Sequence, residues 1–272
     1  VSPAKVVPGN SRGFIVPIGG AEDKLGDAVI LRRVLKLCGI KPNIAVIPTA
    51  SRKEDTGRNY QNLFADLGAG STRVLKFEHR EDCDNPEALS FLAECDGVFI
   101  TGGNQLRLST TLGGTAVAKL LRRRNADGML IAGTSAGAAI IPQHMIASGE
   151  EGSSPRAGMV TLAPGLGLSN KIMVDQHFRQ RDRLGRLLTA IALNPFALAL
   201  GIDEDTACFI GPDNVVEVLG SGTVTIIDPG KVTMSSIAEA DRDQPISLTG
   251  LRLHVLASGA RFDLDTRKPL RD

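Results

Sequence analysis

Histidine is scarce in this chain, with four in 272 residues. No two of them stand close enough to form a ligand pair, so a metal enzyme has little to build on. The four cysteines, Cys38, Cys83, Cys95 and Cys208, form no Cys-x-x-Cys pair and fall in or beside apolar stretches. That spacing argues against a disulfide frame and for reduced thiols in a cytoplasmic protein. Charge of one sign is also missing. The formal net charge is +1, so bulk electrostatics draw the chain to neither nucleic acid nor a membrane surface. No apolar run is long enough to span a bilayer, and no charged-then-apolar leader is visible. Neither Gly-x-Gly-x-x-Gly nor a Walker pattern follows a strand, which leaves no nucleotide or other cofactor implied. Internal repeats and low-complexity segments are absent.

What the chain does have is Met129-Leu130-Ile131-Ala132-Gly133-Thr134-Ser135-Ala136-Gly137. The apolar run Met129 to Ala132 reads as a buried strand, and Ala136 to Ile141 can open a helix. Between them stands Gly-x-Ser-x-Gly. In a strand–turn–helix context the glycines clear room for a strained turn that lifts the serine hydroxyl off the sheet edge. The N–H of Ala136 then points where an oxyanion would form.

Residues 1–12 are polar and carry Pro and Gly, and are expected to form a loose arm. From residue 13 to 272 the pattern is that of one domain. Strands are expected at Gly13–Ile18, Asn43–Pro48, Thr72–Phe77 and Gly97–Thr101. Helices are expected between them at Leu25–Cys38, Asp55–Leu67 and Pro86–Cys95, and again at Ala116–Arg124 before the serine turn. This alternation implies an α/β fold with a mostly parallel central sheet and helices on both faces. The site then lies at the strands' carboxyl ends, three of which are marked by glycine: Gly19-Gly20, Gly102-Gly103 and Gly133. Ser148–Gly158 reads as a surface loop and Arg181–Leu193 as a helix. The short strands Leu198–Ile202, Ala207–Ile210, Val215–Leu219, Thr223–Ile227 and Leu251–Leu256 read as a smaller second β region.

A serine nucleophile needs a base. His254 lies inside an alternating strand, and His79 and His144 have little context. His177 ends the short apolar strand of Met173-Val174-Asp175-Gln176-His177, a position where catalytic residues collect. The acid that holds an imidazole's tautomer has three candidates, Asp203, Glu204 and Asp205. The order Ser, His, acid differs from the Ser, acid, His order of α/β-hydrolases.

Several runs together resemble one family. They are Gly19-Gly20-Ala21-Glu22-Asp23-Lys24, Ile47-Pro48-Thr49-Ala50-Ser51, Thr101-Gly102-Gly103-Asn104-Gln105-Leu106 and Gly133-Thr134-Ser135-Ala136-Gly137-Ala138. Asp175-Gln176-His177-Phe178 with Gln180-Arg181, and Gly201-Ile202-Asp203-Glu204, complete the set. The chain resembles the cyanophycinases, serine-type exopeptidases related to α-aspartyl dipeptidase. The resemblance implies a flavodoxin-like, three-layer fold shared with class I glutamine amidotransferases. It implies hydrolysis of cyanophycin, a poly-aspartate with arginine on each β-carboxyl, to β-Asp-Arg dipeptides through an acyl-enzyme. It also implies a homodimer.

Carried over position by position, the resemblance makes Ser135 the nucleophile, His177 the base and Glu204 the acid, with the N–H groups of Gly103 and Ala136 as oxyanion hole. Substrate contacts map to Asn104, Gln105, Asp175, Gln176, Arg181, Arg183 and Arg186. Asn104 stands where relatives are also expected to have Asp, and Ile140-Ile141-Pro142 is bulkier than expected after the turn. On chemical grounds the planar arginine forks suit a terminal carboxylate. Asp175, or Glu150 or Glu151, suits a substrate guanidinium. The rivals are an α-aspartyl dipeptidase acting on free dipeptides and a non-catalytic binding module on the same fold.

Overall fold

In the computed structural model the chain is described over residues 2–271, and Val1 and Asp272, the outer ends of the expected arm and domain, lie outside them. Residues 2–12 carry no helix or strand. The first part of the domain runs β1 (Ile15–Ile18), α1 (Val29–Cys38), β2 (Asn43–Ile47), α2 (Thr56–Asp66), β3 (Ser71–Val74), α3 (Pro86–Glu94), β4 (Gly97–Ile100), α4 (Gln105–Leu112), α5 (Ala116–Ala126) and β5 (Leu130–Thr134). Next come α6 (Ala136–Ala139), β6 (His144–Gly149), β7 (Val160–Pro164), β8 (Ile172–Gln176), α7 (Leu184–Leu193), β9 (Leu198–Ile202) and β10 (Thr206–Ile210). The chain closes with β11 (Val215–Gly220), β12 (Thr223–Asp228), β13 (Met234–Ser235), β14 (Leu248–Thr249), β15 (Arg252–Ala257), β16 (Arg261–Asp263) and β17 (Lys268–Leu270).

Local chemistry accounts for the element ends. Pro86 opens α3, where its missing N–H is harmless, and the Asn85 side chain caps it by accepting from Ala88. Thr115 does the same for α5 and Asn104 for α4. At eight residues α4 is short, and it is not among the helices expected from the sequence.

Nine strands form the main sheet in the order β17-β16-β11-β10-β1-β5-β4-β2-β3. The five strands from β1 to β3 in that order pair in parallel, and the four from β10 outward pair antiparallel. Alternation along each parallel strand feeds both faces. Ala45, Ile47, Val98 and Ile100 pack against α3, α4 and α5, while Ile44, Val46 and Phe99 pack against α1 and α2. The fold is therefore mixed α/β, with a large sheet buried between helices.

The later strands divide between two sheets, which the sequence did not separate. β10 and β11 join the main sheet, whereas β9, β12 and β15 form a second one with β8, in the order β15-β12-β9-β8. One face of the second sheet, through Val174, Leu200 and Ile226, shares the main core; the other, through Met173, Ala199 and Ile227, meets α7. The chain passes from one sheet to the other at Asp203–Asp205, between β9 and β10. All four cysteines are free. No helix among the described residues is long and apolar enough to cross a membrane.

Candidate active site

The serine turn is built from its own neighbours. β5 delivers Ser135 to the sheet's carboxyl edge, and α6 starts one residue later. Ser135 has φ 54° and ψ −115°, a conformation that a residue with a Cβ adopts only under strain. Its own N–H holds the Ile18 carbonyl at 3.0 Å, which ties the turn to β1. A Cβ on Gly133 would lie 2.1 Å from the Gly137 carbonyl oxygen, so the two glycines of the motif face each other across the bend.

β8 and β9 run parallel and in register, Gln176 opposite Ile202. His177 follows the first strand by one residue, and Glu204 follows the second by two. Both side chains therefore emerge at the same carboxyl edge, beside the end of β1. The His177 N–H donates to Gly19 O at 2.7 Å, and the imidazole lies against Gly20, where a Cβ would stand 2.4 Å from the ring. Gly20, with φ 99°, is the position that leaves room for the ring.

Ser135 Oγ lies 2.9 Å from His177 Nε2, and His177 Nδ1 lies 2.6 Å from Glu204 Oε1. Asp203 is turned inward, accepting from the Arg179 and Thr223 N–H groups and from the Thr223 hydroxyl, each at 3.1 Å. Asp205 accepts from the Asp23 N–H. Neither the Gly103 nor the Ala136 N–H has a hydrogen-bond partner among the described residues. A hydroxyl, an imidazole and a carboxylate in series, beside two free N–H donors, can transfer a proton from the hydroxyl and stabilise an oxyanion.

Burial holds the His177 pKa below its ordinary value of 6.5, opposed by the hydrogen bond to Glu204 and reinforced by the positive charges of Arg181 and Arg183. A base must be neutral to accept a proton, and a lowered pKa keeps it neutral further into acid. The acid limb of kcat/KM is thus expected to have its midpoint below pH 6.5. Replacing Arg181 with Gln removes one of the opposing charges and should move that midpoint upward. A pH–rate profile of both proteins measures this.

The other expected contacts are placed as follows. Asn104 Oδ1 is engaged in capping α4, accepting from the N–H groups of Leu106 and Arg107. Gln105 donates to the Ile146 carbonyl at 3.1 Å, and Gln176 Oε1 stands 3.3 Å from Ser135 Oγ. Arg181 is exposed and its guanidinium has no partner among the described residues. Glu150 pairs with Arg156.

Asp175, expected to pair with a substrate guanidinium, is already held by two arginines of the chain. It is fully buried, and Arg186 grips it with Nε at 2.7 Å and Nη2 at 2.6 Å. Arg183 adds Nη1 at 3.5 Å and also donates to the Gln176 carbonyl at 2.6 Å. The helix expected from Arg181 starts only at Leu184, so Arg181 and Arg183 precede it and only Arg186 stands within it. Burial pulls the Arg183 pKa down, to about 10, with Asp175 pulling it back up, so the guanidinium stays charged near neutrality. Its Nε is buried and has no hydrogen-bond acceptor.

Removing one partner of such a pair leaves a buried, uncompensated charge, which costs about 3–5 kcal/mol. Arg186→Met is expected to lower stability by about that much, and adding Asp175→Asn should recover part of the loss. Chemical denaturation of the two variants measures both effects.

Sequence reading assigned no role to one further group. Glu22 is buried beneath the serine turn and accepts from the hydroxyls of Tyr60 and Thr134, each at 2.5 Å, with Lys24 at 3.2 Å. Thr134 is the residue before Ser135, so Glu22 fixes the end of β5 from below. The only signal was that Glu22 falls inside the first run of the family resemblance. Among the described residues no three His, Cys, Asp or Glu side chains are placed to hold a metal ion.

Comparisons with known proteins agree on a family. The profile of peptidase family S51 matches residues 15–218. The cyanophycinase of Trichormus variabilis is 42% identical over 266 residues, covering 97% of this chain and 89% of its own. That of Synechococcus elongatus is 41% identical over 260 residues, covering 94% and 81%. The crystal structure of a peptidase from an acI-B1 Actinobacterium superposes with a TM-score of 0.70 at 23% identity, covering 94% of this chain and 98% of that one, a likeness of fold. With three-quarters of its length matched by the profile and nearly all of it by these relatives, the chain belongs to peptidase family S51 and groups with the cyanophycinases.

Proposed function

We propose that this peptidase hydrolyses cyanophycin from a chain end and releases β-Asp-Arg dipeptides through an acyl-enzyme. Ser135 attacks the scissile carbonyl, His177 takes its proton and later gives it to the leaving amine, and Glu204 stabilises the imidazolium between the two transfers. The N–H groups of Gly103 and Ala136 hold the oxyanion. The observation that carries this reading is the unbroken series Ser135 Oγ, His177 Nε2, His177 Nδ1, Glu204 Oε1, at 2.9 and 2.6 Å.

Three guanidinium groups serve the substrate. Arg181 is free to bind directly. Arg183, whose guanidinium holds the Gln176 carbonyl and whose Nε is buried, lends positive charge beside His177, and Arg186 with Asp175 fixes it in place. Asn104 lines the cleft, Gln105 is tied to the Ile146 carbonyl next to it, and Gln176 steadies Ser135. Asp175 then acts through the arginines rather than by touching a substrate guanidinium. The parallel strands in spatial order β3-β2-β4-β5-β1 support a flavodoxin-like assignment. The run β3-β2-β4-β5 matches the 2-1-3-4 part of that fold's 2-1-3-4-5 order, while β1, first in this chain, stands in the place of its last strand.

Mass spectrometry of the products from purified cyanophycin tests the reading. The expected sole early product is β-Asp-Arg. Long internal fragments early in the reaction would end the exopeptidase reading. Activity on free Asp-Xaa dipeptides alone would move the chain to the aspartyl dipeptidases.

A further inference from the structure

The parallel strands reverse direction of progression between β2 and β4. β3 lies outside β2, and the chain then returns across β2 to β4. At such a point the two loops leave in opposite directions and open a crevice at the carboxyl ends. The cleft over Ser135 occupies that crevice, with a volume of about 540 Å³, between the loop after β2 and the loop after β4. It does not end there. Ser51, Arg52 and Lys53 line it on one side and, on their other side, line a second hollow of about 490 Å³. The second hollow continues over the ends of β2 and β3 to the first turn of α4.

The outer hollow has an unusual charge pattern. Arg52, Lys53, Lys76 and Arg107 line it, and none of the four is in an ion pair among the described residues. Glu54 and Glu78 line it as well, also unpaired. At one wall Thr49 is 5% exposed, and its hydroxyl is buried without a hydrogen-bond partner.

Resting on the proposed polymer substrate, the chemistry that fits this hollow follows from the repeat unit. An arginine joined through its α-nitrogen to each aspartate keeps its own α-carboxylate and its guanidinium. Every unit therefore presents one anion and one cation. A groove with four unpaired cations and two unpaired carboxylates offers partners for both charges of a zwitterionic repeat, with cations in excess for its carboxylates. We propose that the hollow lined by Arg52, Lys53, Lys76 and Arg107 is an outer subsite that holds the carboxylate-bearing side groups of polymer units beyond the one being cut. Arg52 and Lys53 belong to both hollows and link the outer subsite to the Ser135 cleft. Lys76 and Arg107 line the outer hollow alone.

The test replaces Lys76 and Arg107 together by Glu and compares two substrates, long cyanophycin and a two-unit oligomer too short to reach the outer hollow. Each exposed charge contact is worth a few-fold in affinity, so kcat/KM on the polymer is expected to fall about tenfold, carried by KM. Turnover of the oligomer should stay unchanged. Added salt should weaken polymer turnover by the wild type more steeply than by the variant, because screening removes the same contacts. Equal polymer turnover in the two proteins would overturn the inference, and so would a matching loss on both substrates. A wild-type protein that leaves the polymer intact would end the substrate reading, and this inference with it. A wild type that cuts the polymer while the variant matches it ends the inference alone.

Discussion

Ser135→Ala is expected to remove turnover by a factor on the order of 10⁴ or more while leaving the fold intact. The hydroxyl is the only atom lost. Its hydrogen-bond neighbours are His177 Nε2 at 2.9 Å, which lines the cleft, and the buried Gln176 Oε1 at a longer 3.3 Å, and it makes no other hydrogen bond among the described residues. The backbone strain at φ 54° belongs to the Cβ, which alanine retains, so stability should stay near that of the wild type. Ser135→Gly separates the two effects. It removes the Cβ and with it a strain of about 1–3 kcal/mol, offset by the greater freedom glycine has when unfolded. The glycine variant is expected to be as inactive as the alanine variant and more stable than it. Residual steady-state activity and thermal melting of the three proteins measure this. Near-wild-type turnover by folded Ser135→Ala protein would remove Ser135 from the reaction.

The parts of this molecule that could be read from its sequence are those whose causes are local. β9 is bounded as expected at Leu198–Ile202, because a run of buried apolar residues between turn residues has few other uses. The serine turn is legible for the same reason, since strand, glycines and helix are contiguous. Parts whose causes lie far along the chain were not legible. Ser148–Gly158 reads as loop by composition, yet its first residues finish β6, which pairs with β7 through Ser148 and Thr161. That hairpin depends on a partner, and composition does not record partners. The division of the late strands between two sheets is set by the turn at Asp203–Asp205, three residues that look like any acidic turn. A substrate guanidinium is the partner expected for Asp175 from its charge, and nothing local in the sequence shows that the chain supplies one itself. Alternation puts Asp175 inside, where Arg186, eleven residues on, supplies the compensating charge. The glycine at position 20 reads as a strand-end signal, but what fills the space it leaves is His177, 157 positions later.

The same turn carries the other large expected effect, a dissociation between adjacent carboxylates. Glu204→Gln should reduce kcat by about 10²- to 10³-fold with little change in stability, whereas Asp203→Asn should reduce stability with little change in kcat. The Glu204 carboxylate reaches His177 Nδ1 at 2.6 Å, and its only other described role is through its backbone. A glutamine there either points its oxygen at Nδ1, keeping the tautomer but losing the negative charge that stabilises the imidazolium, or points its NH₂. In the second case Nδ1 must accept, the proton moves to Nε2, and the ring can no longer take one from Ser135. Fully buried acids in this position are worth about 10⁴-fold. The Glu204 side chain is 36% exposed, so water shares the stabilisation and the loss should be smaller. Asp203 is different on every count. Its oxygens accept from the N–H groups of Arg179 and Thr223 and from the Thr223 hydroxyl, at 2% exposure. An amide in its place turns an NH₂ toward donors it cannot satisfy, which costs about 1–3 kcal/mol. Because Asp203 fixes the turn that presents Glu204, any kinetic effect of Asp203→Asn should appear near the melting transition and vanish at lower temperature. Melting curves and kcat for both variants decide the matter: a larger kinetic loss from Asp203→Asn in fully folded protein would move the acid from Glu204 to Asp203.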